Sequence, residues 1–198
     1  MKKTTSAFTI VELLIVIVVI GILAAITITA FNGIQNRAEM TKTVTAVRAY
    51  QKALSMYKTE NGTYPAAGAF CLGDQYGVFT GQATPSCRQS NSVISVTTSA
   101  AARDALKPYL GGQLPMPSTK FMMGGTTEYV GGQFYGSSYN YTLDGAPVVT
   151  IQYYVKGPTC PVGPVYAAPA PSFTSPSVAR SGTLDNNDSF CYLLLPNS

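Results

Sequence analysis

The sequence predicts an α+β protein: a long amino-terminal helix, membrane-spanning in its first half and amphipathic in its second, packed on a small antiparallel sheet head. Three observations carry that prediction. All thirteen prolines lie at or after Pro65 and sixteen of the eighteen glycines lie after Glu60, so the helix breakers are segregated to the rear of the 198-residue chain. An apolar run that begins at Phe8 passes without proline into a stretch of helical periodicity. Beyond Glu60 the chain is rich in Gly, Pro, Ser, Thr and Tyr, and Asp144-Gly145 stands between two β-prone segments as a hairpin signal.

Residues 1–7, Met1-Lys2-Lys3-Thr4-Thr5-Ser6-Ala7, form a short polar, basic leader. From Phe8 the chain is apolar through about residue 35, and after Glu12 the next charge is Arg37. The roughly 24 residues from Phe8 to Phe31 make about 36 Å of helix, enough to cross a hydrocarbon core of about 30 Å with some tilt. The β-branched content would suit a strand. A lone strand in lipid, however, leaves its backbone N–H and C=O groups unpaired, whereas a helix satisfies them internally. A secretory signal peptide would have a shorter apolar region ending at a small-residue cleavage site, and here the run continues through Ala24-Ala25 into Thr27-Ile28-Thr29-Ala30-Phe31. Lys2, Lys3 and the α-amino group on one flank, against Arg37 and Lys42 on the other, orient the amino terminus to the cytoplasm.

Residues 36–60 continue the same helix. Met40, Val44, Val47, Tyr50, Leu54 and Tyr57 recur at helical spacing as one apolar stripe, with Arg37, Lys42, Arg48, Lys52 and Lys58 mostly on the other faces. Such a stripe needs a sheet to lie against. Asn61-Gly62 supplies residues that tolerate a left-handed cap, and Pro65 prevents continuation.

The head, residues 61–198, is long enough for a modest core. Expected strands are Tyr139–Leu143 and Pro147–Val155 joined at Asp144-Gly145, preceded by Glu128–Tyr135 and closed by Ser189–Leu195. A short helix is expected over Ser99–Lys107, stopped by Pro108 and Gly111-Gly112. The four cysteines allow three pairings, and none has the Cys-x-x-Cys spacing of a metal or redox motif. The expected pairs are Cys71-Cys87 and Cys160-Cys191, since each closes a loop without clear secondary structure; crossed pairs and free thiols are the alternatives. A bridge across the Pro- and Ser-rich stretch from Gly157 to Asn187 stabilises by roughly 3–4 kcal/mol on the chain-entropy model. Asp185-Asn186-Asn187-Asp188 lacks EF-hand spacing and is expected to be a polar turn rather than a calcium site.

Charge and composition exclude several functions. Only 11% of residues are charged, and the net charge of +4 is spread without any run that could track a phosphate backbone, so nothing supports nucleic-acid binding. The absence of His removes imidazole triads and His-based zinc sites. With few carboxylates and no nucleophile motif, the sequence predicts neither an enzyme nor a resident cofactor or metal.

Glu12 does not fit a plain anchor. A carboxylate within a hydrocarbon run costs about 2.5–3.5 kcal/mol, so it calls for a partner or for a place at the membrane surface, where the helix dipole helps it. A basic leader followed by Phe8-Thr9-Ile10-Val11-Glu12-Leu13-Leu14-Ile15-Val16 and Gly21-Ile22-Leu23-Ala24-Ala25-Ile26 resembles the amino-terminal signature of type IV pilins and pseudopilins. The resemblance covers about residues 2–35, and Asn61-Gly62-Thr63-Tyr64-Pro65 is similar to the turn that closes the long helix in many of them. It implies cleavage by a prepilin peptidase between Ala7 and Phe8 and N-methylation of Phe8. It further implies that Glu12 pairs with the Phe8 amine of an adjoining subunit during assembly, and that Gly21 is a point of helix flexibility. The implied function is a structural subunit of an extracellular type IV pilus-like filament, with a pseudopilin of a type II secretion or competence system as the alternative. The implied partners are further copies of the chain and other pilins, the peptidase, the assembly machinery in the membrane, and membrane lipid before assembly. The chain departs from the family at Ala7, where Gly is usual, and at Thr29, where many members have Pro.

Overall fold

The computed structural model describes residues 9–66, 68–76, 85–89, 96–117, 120–123, 127–138, 142–143, 146–156, 160–161, 165–166 and 189–195. The chain divides into two compact units, Met1–Ala38 and Glu39–Ser198, and helix α1 (Ile10–Asn61) contributes to both. In the second unit, α1 ends where the sequence changes character. The Gly62 amide donates to Lys58 O at 2.8 Å with Gly62 at φ 73, and Asn61 Nδ2 donates to Tyr57 O at 2.9 Å, which satisfies carbonyls the last turn leaves open.

The second unit holds two main sheets. Strands β1 (Ala69–Cys71), β6 (Gly132–Tyr135), β9 (Val149–Val155), β10 (Val165–Tyr166) and β11 (Ser189–Leu195) form a five-stranded sheet in the order β1-β6-β9-β11-β10. Strands β2 (Ser86–Gln89), β3 (Val96–Thr97), β4 (Lys120–Met123) and β5 (Thr127–Val130) form a four-stranded sheet in the order β3-β2-β5-β4. Every pairing is antiparallel.

Register sorts the five-stranded sheet into two unlike faces. Phe134 pairs with Ile151, which pairs in turn with Leu193, and Tyr153 pairs with Cys191. Because side chains alternate across a strand, these five share one face. Against it lies the α1 stripe, with Val47, Tyr50 and Leu54 fully buried and Met40, Val44 and Tyr57 partly so. Ala53, and Ala102 and Leu106 of α2 (Ala100–Leu106), complete this core. On the opposite face Gln133 pairs with Gln152 and Tyr135 with Thr150, polar groups buried between layers. Tyr135 belongs to a second, smaller cluster with Cys71, Tyr76, Cys87 and Val96.

Several sequence expectations change in the folded chain. Glu128–Tyr135 is not one strand: Gly131, at φ 71, breaks it into β5 and β6, which join different sheets. A Cβ at Gly131 would collide with the Pro117 carbonyl oxygen and approach the Tyr76 hydroxyl, so the turn needs glycine for its dihedral and for space. Pro147–Val155 is likewise divided, into β8 (Ala146–Pro147) and β9. Strand β7 (Thr142–Leu143) pairs with β8 alone as a separate two-stranded sheet, and β9 pairs with β6 and β11. The turn at Asp144-Gly145 lies outside the described residues. The short helix, by contrast, ends where expected, α2 stopping at Leu106 with Lys107 as its C-cap, before Pro108. Ser99 caps α2, its Oγ accepting from the Ala102 amide, and a 3₁₀ turn (Lys107–Leu110) follows, ending at Gly111 with φ 66. Proline is tolerated in that turn because a first helical turn leaves its amides unpaired anyway.

Candidate functional site: the amino-terminal helix

The first unit is described from Thr9 onward and is helical from Ile10. Its large apolar side chains face outward around the whole circumference: Ile10, Leu13, Val16, Val19, Leu23 and Ile26 are all exposed. A helix apolar on every side is stable only in lipid or against other apolar protein. This is the one helix among the described residues long and apolar enough to cross a membrane. The single hydroxyl described in its middle is satisfied internally, Thr27 Oγ1 donating to Leu23 O and Ala24 O at 3.0 Å each.

Glu12 sits in the first turn and is not idle there. Its Oε2 accepts from the Thr9 amide at 2.8 Å and the Thr9 hydroxyl at 2.9 Å, while its own amide donates to Thr9 Oγ1 at 3.2 Å. Leu13 N donates to Thr9 O at 3.3 Å, which makes Thr9 the residue before the first helical turn. Thr9 and Glu12 therefore form a reciprocal capping box, closing amides that a helix start otherwise leaves without acceptors. Thr9 carries no role among the sequence expectations, although Thr-x-x-Glu before an apolar run is the signature of this motif. The negative carboxylate also lies at the positive end of the helix dipole.

The remaining candidate residues are placed as follows. Ala7 and Phe8 lie outside the described residues. Gly21 lies within the continuous α1, with open space where a Cβ would stand. Cys71 and Cys87 are bonded, with Cα atoms 5.6 Å apart, and join β1 of one sheet to β2 of the other. Cys160 and Cys191 are bonded, Cα atoms 5.7 Å apart, and tie the chain after β9 to β11. Beside this second bridge Arg48 Nη2 donates to Pro161 O at 3.3 Å, holding the same segment to α1. No group of three or more Cys, Asp or Glu side chains that could hold a metal ion occurs among the described residues.

An apolar, capped helix with one acid in its first turn thus precedes a second unit that is a disulfide-bonded α+β head. Residues 2–28 match the family model of the prokaryotic N-terminal methylation motif, so the chain carries the prepilin-type amino-terminal segment of pilins and pseudopilins. Its relatives fall in both groups. It is 39% identical over 64 residues to the type II secretion system core protein G of Aeromonas hydrophila, covering 32% of this chain and 45% of that protein. The corresponding protein of Escherichia coli K12 is 40% identical over 58 residues, 29% of this chain and 40% of its own. The fimbrial protein EcpC of Eikenella corrodens is 32% identical over 99 residues, 49% of this chain and 65% of that protein. The chain thus spans less than half the length of these secretion proteins and about two thirds of the fimbrial one. No solved structure matches it.

Proposed function

We propose that the chain is a structural subunit of a type IV pilus-like filament, polymerised through its amino-terminal helix, and not an enzyme. The observation that carries this reading is the match of residues 2–28 to the methylation motif, on a helix whose apolar side chains are exposed all round. Before assembly that surface is solvated by lipid, with the amino terminus in the cytoplasm. In the filament, helices of neighbouring copies replace the lipid. Prepilin peptidase cuts between Ala7 and Phe8 and the new Phe8 amine is methylated. That amine then meets Glu12 of an adjoining subunit, so a carboxylate that is costly in an apolar interior becomes half of a charge pair. Gly21 gives the helix a weak point as it leaves the membrane, glycine being about 1 kcal/mol less helix-favouring than Ala.

A pseudopilin of a type II secretion or competence system is the second reading, favoured by the matches to core protein G. It shares the same helix and processing. Intact mass and amino-terminal sequencing of the protein recovered from cells with their native export machinery test both readings. A start at methylated Phe8 supports them, and an intact Met1 or a cut near Ala25 sinks both. Electron microscopy then separates them, since long surface filaments belong to the first and short envelope-confined ones to the second.

A further inference from the structure

We propose that the four-stranded sheet of the head is a detachable layer latched by Cys71–Cys87, so that loss of this one bridge opens the layer while α1 and the five-stranded sheet stay folded. The proposal concerns the second unit alone and holds whether or not the chain polymerises.

The two faces of the five-stranded sheet make the argument. Toward α1 it presents Phe134, Ile151, Tyr153 and Leu193, and separating helix from sheet would return that apolar area to water at about 25 cal/mol per Å². On the opposite face it presents Gln133, Thr150 and Gln152 together with Tyr135, Tyr154 and Tyr192, all buried. Each of these six carries a polar atom that can exchange a protein partner for water, which Phe134, Ile151 and Leu193 cannot do. Thr150 Oγ1 is buried without a hydrogen-bond partner among the described residues and gains one on opening. Between the sheets Gln133 Nε2 reaches Cys87 O at 3.5 Å, the outer limit of a hydrogen bond. The apolar contacts of this interface gather on the bridge itself, where Tyr76, Val96 and Tyr135 surround Cys71 and Cys87. The Cys87 amide donates to Cys71 Sγ at 2.9 Å.

Strand β5 passes into β6 through Gly131, and the bridge spans 16 positions of sequence from β1 to β2. A dithiol that gives the bridge two electrons and two protons, becoming a disulfide itself, releases two thiols and removes the constraint.

Hydrogen exchange read by mass spectrometry on the full chain in detergent tests the latch, comparing Cys71→Ala/Cys87→Ala with the wild type and with Cys160→Ala/Cys191→Ala. In the first variant, amides of Ser86–Gln89, Val96–Thr97 and Thr127–Val130 are expected to exchange about 100-fold faster, the factor a loop of this length implies. Amides of Val149–Val155 and Ser189–Leu195 are expected to keep wild-type protection. Equal loss of protection in both sheets, including a variant that fails to fold, overturns the proposal. So does unchanged protection in the four-stranded sheet, or its equal opening when Cys160 and Cys191 are replaced.

Discussion

Glu12→Gln separates the two jobs that Glu12 can do. In the structure its carboxylate closes the capping box with Thr9, through bonds of 2.8 and 2.9 Å to Oε2. Glutamine fits the same box, since only an acceptor oxygen is needed, and gives up about 0.3–1 kcal/mol of interaction with the helix dipole. The proposed pairing with a neighbour's Phe8 amine, by contrast, needs the charge. At about 4 Å and an effective dielectric near 20 that attraction is about 4 kcal/mol, roughly three decades in the equilibrium for adding one subunit, part of which desolvation offsets. Glu12→Ala loses both charge and cap, the cap alone being worth about 1 kcal/mol. Each variant would be expressed with the native machinery, its membrane-inserted amount measured by fractionation, and its filaments sheared, counted by microscopy and quantified by immunoblot. Both variants are expected to insert at least as well as wild type, because the carboxylate costs about 2.5–3.5 kcal/mol in the bilayer, and both are expected to fall below about one hundredth of wild-type filament yield. Normal filaments from Glu12→Gln, with loss only in Glu12→Ala, would refute the pairing and leave capping as the residue's sole contribution.

Three further outcomes are expected. Leu54→Ala, at a fully buried position between α1 and the five-stranded sheet, should destabilise the head by about 2–5 kcal/mol in denaturant titration, and a loss below 1 kcal/mol would contradict the packing described. Burial pushes the Tyr64 hydroxyl up to about 12 and those of Tyr50 and Tyr76 further still. Below pH 10 these groups are neutral in both states; above it the unfolded chain loses protons that the folded chain keeps, so stability falls with pH by about 1.4 kcal/mol per unit for each of the buried Tyr50 and Tyr76, and by less for the half-buried Tyr64. Melting temperatures measured between pH 8 and 12 should be level up to about 10 and then drop, whereas ionisation of every tyrosine near 10 in the intact fold would show that none is sealed. Ala7→Gly, which restores the residue usual before the cut in pilin-like chains, should speed leader removal in a pulse-chase gel assay; an unchanged rate would show that the peptidase does not discriminate at this position.

What was legible from residues follows the range of the forces involved. The long helix could be read because its signals are local: an unbroken apolar run, a stripe at helical spacing, and Asn61-Gly62 at its end. The capping box is equally local, spelled by Thr9 and Glu12 three positions apart before an apolar run. In the head the strand Ser189–Leu195 could be read from its apolar composition. Short β2, β3, β4 and β10 could not, since two to four residues carry too little pattern and gain their pairing from distant partners. Gly131 illustrates the difficulty. Within Glu128–Tyr135 it reads as a tolerated glycine in one strand, and only the approach of Pro117 and Tyr76 makes it the turn between two sheets.

The sequence by itself determined the division of labour along the chain: an apolar, singly acidic helix without proline, then a cysteine-bearing region too rich in glycine and proline for a second long helix. Those properties act between neighbours in the chain, through backbone hydrogen bonding, helical periodicity and the cost of charge in hydrocarbon, so they are already set before any tertiary contact forms. Only the tertiary structure decided that the head has two main sheets, that β9 lies between β6 and β11, and that one face of the central sheet is apolar while the other mixes buried glutamine and threonine with tyrosine. Those outcomes depend on which distant segments meet. A one-residue change of register would turn Phe134, Ile151 and Leu193 away from α1, and it is the burial of those side chains against Val47, Tyr50 and Leu54 that selects this arrangement over the others.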